Sequence, residues 1–116
     1  MKELYSLIIK YCISRCYTYD DLVDKKKLRL HNKAMSQLQK IQKEMYSEHD
    51  HCTNIVLELL KHTDERVRMF AATYCLHANI LVETGMQVLI QIRDYSESSY
   101  MRVSAGQNID YCVPFE

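Results

Sequence analysis

Apolar residues recur along most of this chain at the three- and four-residue spacing of amphipathic helices. The clearest stripe has members at i, i+3, i+4, i+7 and i+8, namely Cys52, Ile55, Val56, Leu59 and Leu60. This spacing places all five side chains along one side of a helix. The pattern therefore predicts a helix that buries this side against a neighbouring helix.

The next stretch carries a narrower stripe of small side chains. Its members fall at i, i+4, i+8 and i+11, at Val67, Ala71, Cys75 and Ala78. Thr63 or Asp64 can cap the first turn of this helix. Asp64 and Arg68 stand in the favourable acid-then-base order for an i,i+4 ion pair. We interpret Arg68 as a ridge residue that ties adjacent helical hairpins together.

The same pattern returns 34 positions later. The small and apolar stripe is repeated by Met101, Ala105, Ile109 and Cys112. Ser98 and Ser99 stand where the earlier copy has its cap. Periods of about 30–47 residues with this internal spacing are typical of stacked helical hairpins.

The first part of the chain predicts two further helices. Residues 3–17 carry a broad apolar stripe, and Thr18-Tyr19-Asp20-Asp21 resembles a capping box. A long polar helix is predicted from Asp20 to about Met45, with a thin apolar seam at Ala34, Leu38, Ile41 and Met45. Further on, the two-helix unit restarts, and Thr84 is the predicted cap of the first helix of the last repeat.

Composition supports a helical chain. The 116 residues include only two glycines and one proline, and 47% are hydrophobic, which is enough for one core. We predict one all-α domain over residues 1–116, a short α-solenoid of about six helices in three antiparallel hairpins. A divergent N-terminal hairpin covers residues 1–46, and two clearer repeats cover residues 50–79 and 83–113.

Charge and sorting signals narrow the class of protein. The formal net charge is zero, so the chain lacks the basic field that nucleic-acid binders normally carry. The N-terminus has no signal-peptide pattern, no stretch reaches the ~20 apolar residues of a membrane span, and the cysteines number five. These features predict a cytoplasmic protein with reduced thiols and no membrane association.

Seven basic residues concentrate on the long polar helix: Lys25, Lys26, Lys27, Arg29, Lys33, Lys40 and Lys43. A solvated helix face explains them most simply. Two alternatives stay open, which are a patch that attracts an acidic partner and a nucleic-acid-binding surface over residues 20–46.

Metal and enzyme chemistry have weaker support. A zinc site could combine Cys12 and Cys16 with His49, His51 and Cys52, although the cysteines fall on apolar stripes and no Cys-x2-Cys pair occurs. The chain has no phosphate-binding glycine loop, nucleophile elbow or His-Glu-x-x-His motif. We therefore predict no catalytic residues and no cofactor.

The second helices of the repeats supply the predicted binding surface, because in a stacked array they line the concave side. Large or polar side chains off the small stripe are the candidates, at Arg66, Met69, Phe70, Thr73, His77, Tyr100, Val103, Gln107 and Tyr111. Met, Phe, Tyr and Arg are common interface anchors. Alternatively, a short C-terminal tail or the next hairpin covers Met69 and Phe70.

These segments resemble a bacterial HEAT-like repeat family of unknown function, whose core pattern is Asp-x-x-Val-Arg-x-x-Ala-Ala. The likeness covers about residues 50–112 and rests on Leu59-Leu60, Asp64, Val67-Arg68, Ala71-Ala72, Leu76 and Val88-Leu89. Glu65 stands where the family often has proline. The family's tryptophan is also missing, since this chain contains none. The resemblance implies a HEAT-like solenoid that binds a protein partner, and one role it implies is that of an immunity protein that neutralises a toxin.

Overall fold

A computed structural model describes residues 2–48 and 52–112 as helices joined by short turns. Their order is α1 (Lys2–Ile13), α2 (Tyr19–Val23), α3 (Lys25–Ser47), α4 (Thr53–Leu59), α5 (Glu65–Ala78), α6 (Val82–Tyr95) and α7 (Ser99–Tyr111). These residues include no strand, so the predicted all-α class is confirmed. No helix among them is both long and apolar enough to cross a bilayer.

The N-terminal region has one more helix than predicted. The capping box at Thr18 is present, since its side chain accepts from Asp21 N and the Asp21 carboxylate accepts from Thr18 N. The long helix predicted from Asp20, however, is broken at Asp24, whose backbone is extended. The Asp24 carboxylate accepts from the amides of Lys26 and Lys27 and so starts α3 as a new helix.

The thin seam of α3 lies where the spacing placed it. Ala34, Leu38, Ile41 and Met45 are all buried. α3 packs against α1, which contributes the fully buried Ile8 and Cys12. The opposite side of α3 carries the exposed lysines.

The centre of the molecule is α5, which contacts α1, α4, α6 and α7. Its predicted small stripe is buried, with Val67, Ala71 and Cys75 fully inaccessible and Ala78 8% exposed. α6 packs closely on both α5 and α7. Gly85 of α6 sits directly over Ala72 and Cys75 of α5, where the small stripe lets the two helices come close.

The start of α6 differs from the prediction. Thr84 lies inside the helix, which begins at Val82 after Leu81 in the left-handed backbone region. The Leu81 carbonyl accepts from Gly85 N, but no side chain caps this end. A leucine at positive φ carries no sequence signal for a helix start, which explains the wrong boundary.

α5 and α7 start in the same way. Asp64 and Ser98 both accept a backbone N–H bond as N-caps of α5 and α7. Arg68 donates to the carbonyls of His62 and Thr63, at 2.7 and 2.9 Å, and Arg102 donates to the carbonyl of Ser96. The predicted Asp64–Arg68 pair and the inter-hairpin role of Arg68 are therefore wrong, because Arg68 braces the turn before its own helix.

We expect the two glycines to respond oppositely to substitution by alanine. A Cβ at Gly85 would lie 2.9 Å from both the Ala72 carbonyl oxygen and the Cys75 Cβ, whereas a Cβ at Gly106 meets only the Arg93 side chain at 3.8 Å. Gly85→Ala should lower the free energy of unfolding by about 1–3 kcal/mol through overpacking. Gly106→Ala should raise it by about 0.5–1 kcal/mol through helix propensity.

Urea denaturation followed by far-UV circular dichroism measures both effects. An unchanged or raised stability of Gly85→Ala would show that α5 and α6 do not meet as closely as the structure has them.

Candidate functional site

Two adjoining cavities separate α3 from α5 and α7. Their volumes are about 430 and 220 Å³, and both are lined by Arg15, Met35, His77 and Asn108. We call the two together the central groove. The remaining lining residues are His31, Leu38, Gln39, Gln42, Met69, Phe70, Thr73, Tyr100, Ser104, Gln107, Tyr111 and Cys112. One wall is a single side of α3, and the other is formed by α5 and α7.

The structure brings seven of the nine predicted binding residues to this groove. They are Met69, Phe70, Thr73, His77, Tyr100, Gln107 and Tyr111. The stripe pattern placed them together because α5 and α7 are neighbouring equivalent helices. The facing wall from α3 was not predicted, since nothing in local spacing indicates which distant helix stands opposite.

Two of the seven are less accessible than predicted. Met69 and Phe70 are only 1% and 4% exposed and belong to the hydrophobic core. Met35 and Leu38 of α3 line the same cavity. The C-terminal tail of the predicted alternative lies outside the described residues, so coverage by that tail stays a prediction. Met69 and Phe70 form the floor of the groove and do not project from it as free anchors.

The other two predicted residues lie elsewhere. Val103 is 47% exposed on α7 and does not line the groove. Arg66 is engaged within the fold. Its Nη1 donates to the carbonyls of Ile13 and Arg15, at 3.0 and 2.8 Å, and its Nη2 lies 2.7 Å from the Asp64 carboxylate. Asp64 accordingly raises the pKa of Arg66, and the role of this arginine is to hold the turn after α1.

A polar cluster next to Arg66 fixes the starts of α5 and α7. The Glu65 carboxylate accepts from the hydroxyls of Tyr17 and Ser96, at 2.6 and 2.7 Å. The Ser98 hydroxyl donates to the Tyr17 carbonyl and accepts from Met101 N. The bond to Glu65 is the main cause of a raised Tyr17 pKa, and Arg66 lies over the Tyr17 ring at 5.5 Å. The segment after α1 is thereby tied to the starts of both α5 and α7.

Arg15 is the residue that sequence reasoning missed. It follows α1, lines both cavities, and its buried Nε has no hydrogen-bond partner. Among the described residues, Nε is the one nitrogen of this guanidinium that is both buried and unpaired, and the residue as a whole is partly exposed. Burial lowers the pKa of this guanidinium, although an arginine keeps its charge near neutral pH. A usable signal was its place between Cys12 and Cys16 with no acid three or four residues away.

The groove contains no carboxylate among its lining residues, and Arg15 is its one permanently charged group. His31 faces the same cavity, and its Nδ1 accepts from Cys16 N at 2.9 Å. Burial, together with Arg15, lowers the pKa of His31. Its neutral form then carries the proton on Nε2, which makes the ring a second donor.

Cys112 and His77 meet in the groove without forming an activated nucleophile. The sulfur is almost equidistant from Nδ1 and Nε2, at 3.5 and 3.6 Å, so it lies on the lone-pair axis of neither nitrogen. Burial raises the pKa of the Cys112 thiol, which keeps it protonated. The geometry favours a packing contact.

The predicted zinc ligands are only partly described. Cys12, Cys16 and Cys52 are buried, whereas His49 and His51 lie outside the described residues. Burial raises the pKa of Cys12 to about 12, so its thiolate is disfavoured as a metal ligand. No group of three or more metal-ligating side chains occurs within residues 2–48 and 52–112.

Comparison with family models, curated proteins and solved structures gives no match for this chain. The HEAT-like resemblance therefore stays a prediction, and the case for function rests on the groove itself.

The two arginines should respond with opposite sign to the same substitution. Arg15→Met removes a buried, unpaired Nε–H donor and should raise the free energy of unfolding by about 1–3 kcal/mol. Arg66→Met leaves the Asp64 carboxylate and two carbonyls without their donor and should lower it by about 2–4 kcal/mol.

Thermal and urea unfolding of the two variants beside the parent protein measure this difference. A loss of stability in Arg15→Met as large as that in Arg66→Met would mean that Arg15 has a partner in the folded protein, contrary to the structure.

Proposed function

We propose that this protein is a non-enzymatic binding scaffold that receives a segment of a protein partner in the central groove. The observation that supports this most strongly is the groove itself, which joins seven predicted contact residues to an unpaired arginine. The groove offers hydrogen-bond donors, aromatic rings and an apolar floor, a combination suited to recognising a polypeptide.

The arrangement we propose is a short HEAT-like array of hairpins. It is supported by the 34-residue equivalence of Asp64 with Ser98 as caps and of Arg68 with Arg102 as braces. It is also supported by the contact of α5 with α7, because second helices of adjacent hairpins are neighbours in such arrays. In this arrangement α5 and α7 present one continuous wall to the partner.

A bacterial, cytoplasmic immunity protein is the biological role we propose for such a scaffold. The support is the sequence resemblance, together with a groove that can hold a toxin segment without performing chemistry on it. A basic α3 would attract an acidic toxin and raise the rate of association.

The exposure of the α3 lysines supports a second candidate, which is nucleic-acid binding. Lys25, Lys26 and Lys27 lie together at the start of α3, and all are exposed. Lys27 pairs with Asp21 at 3.3 Å, while the structure gives the other two no ion pair. A nucleic-acid complex through this face would weaken steeply with salt.

The proposed partner site can be tested by adding negative charge to it. Gln39 and Gln107 are exposed on opposite walls of the groove, so Gln39→Glu with Gln107→Glu should repel an acidic segment and leave the core intact. We expect the affinity for a partner captured from the native host to fall about tenfold, which is ~1.4 kcal/mol. The measurement is a pull-down followed by calorimetric titration.

The matched control is Gln87→Glu with Gln91→Glu, the same change at two exposed positions of α6 outside the groove. The control should bind as the parent does. Equal binding by all three proteins would place the partner elsewhere. Loss of binding only in a Lys25→Ala, Lys26→Ala, Lys27→Ala variant, with salt-sensitive retention of DNA, would support the second candidate instead.

A further inference from the structure

The ligand chemistry of the central groove is set by its unsatisfied groups. Burying a cation without a partner is costly, and buried polar groups are almost always hydrogen-bonded. The buried Nε–H of the half-buried Arg15 breaks that rule at a place where two cavities meet. The Arg66 bond to the Arg15 carbonyl holds the backbone there, so the side chain is presented by a fixed turn. An arginine in this situation is organised for an anion that comes from outside.

Within the central groove, the donors beside this single charge are neutral. Asp21, Lys27 and Arg66 line a separate cavity that Arg15 also borders. The His31 ring presents Nε2–H because its Nδ1 is occupied by Cys16 N. Asn108 uses one N–H of its amide on the Ser104 carbonyl at 2.9 Å and has a second one available. Tyr100 brings a hydroxyl to the same cavity, and its ring is held edge-on against Tyr19 with centroids 5.5 Å apart.

One fixed positive charge with neutral donors matches a monoanion better than a dianion. Phosphate near neutral pH carries close to two charges and is usually bound by several cations or by a helix N-terminus. The lining of the groove offers one arginine and no lysine. A carboxylate carries one charge and accepts two parallel bonds from a guanidinium.

The position of Arg15 also indicates where that carboxylate belongs in the partner. The groove continues on both sides of Arg15, towards Tyr111 in one cavity and towards Gln42 in the other. The C-terminal carboxylate of a partner would fit a groove that ends just beyond Arg15, because the partner chain also ends there. A through-running groove fits an acidic side chain within a segment that passes over Arg15.

We propose that Arg15 and its neighbouring donors form a subsite for the side-chain carboxylate of a glutamate or aspartate within a partner segment. This inference deepens the proposed docking function and rests on it. It adds a specific anchor, the Arg15–carboxylate pair, and it explains why the groove keeps a half-buried guanidinium whose Nε–H the fold leaves unpaired.

The test uses two small probes of equal charge and observes the arginine directly. One is the tripeptide Ala-Glu-Ala, acetylated and amidated so that its glutamate is the only anion, and the other is acetylated Ala-Ala-Ala with a free carboxyl end. Inorganic phosphate and chloride serve as further arms at constant ionic strength. The readout is the side-chain Nε–H signal of Arg15 and the amide signals of Asn108 in 15N–1H NMR spectra of the whole chain.

The glutamate probe should shift both sets of signals saturably and bind more tightly than the other three anions. Arg15→Met should abolish the response of Asn108. Arg15→Lys should weaken it by about tenfold, because lysine keeps the charge and loses the bidentate fork. The matched control is Arg29→Met, which removes the same charge from an exposed position of α3 outside the groove and should bind as the parent does.

Tighter binding of phosphate, or of the peptide with the free carboxyl end, would overturn the assignment to an acidic side chain. So would an absence of saturable shifts, or a response that persists in Arg15→Met. These results differ from failure of the docking function. If the glutamate probe binds but groove variants leave partner capture unchanged, the subsite stands and the docking proposal falls. If partner capture depends on the groove but the probe does not bind, the carboxylate subsite falls alone.

Discussion

The hydrogen bonds of the Arg66 guanidinium determine where the functional surface lies. This side chain joins the carbonyls that end α1 to the carboxylate that caps α5. Because one of those carbonyls belongs to Arg15, the same bonds hold the second arginine at the base of the groove. One arginine has several partners and orders the backbone. In the backbone arrangement that results, the Nε–H of Arg15 has no acceptor.

This difference between two nearby cations links folding to function. A fold that only needed stability would place an acid beside Arg15 or replace it with an apolar residue. The chain instead concentrates its acceptors on Arg66, Tyr17 and Ser98, through Asp64, Glu65 and backbone carbonyls. The positive charge without an acidic partner therefore lies in the groove, where an anionic ligand can pair with it.

Local periodicity was sufficient to predict the helices but not their neighbours. The stripes through Val67 and Leu38 were correct because burial follows helical spacing whatever lies opposite. The stripe spacing runs through Asp24 without a break, although aspartate is a strong N-cap and starts α3 there. At α6 the helix starts after Leu81, a residue type that gives no cap signal, and not at Thr84. Met69, Phe70 and Arg15 depend on how the N-terminal helices cover α5. That is a long-range property which local spacing within one sequence does not reveal.

The most direct test of this account is a structure of the protein in complex with its captured partner. The account predicts a partner segment between α3 and α7, with a carboxylate oxygen of an internal acidic side chain within hydrogen-bond distance of the Arg15 guanidinium. A partner seated on the outer side of α6 or on the lysines of α3, with Arg15 still lacking an anionic neighbour, would contradict it.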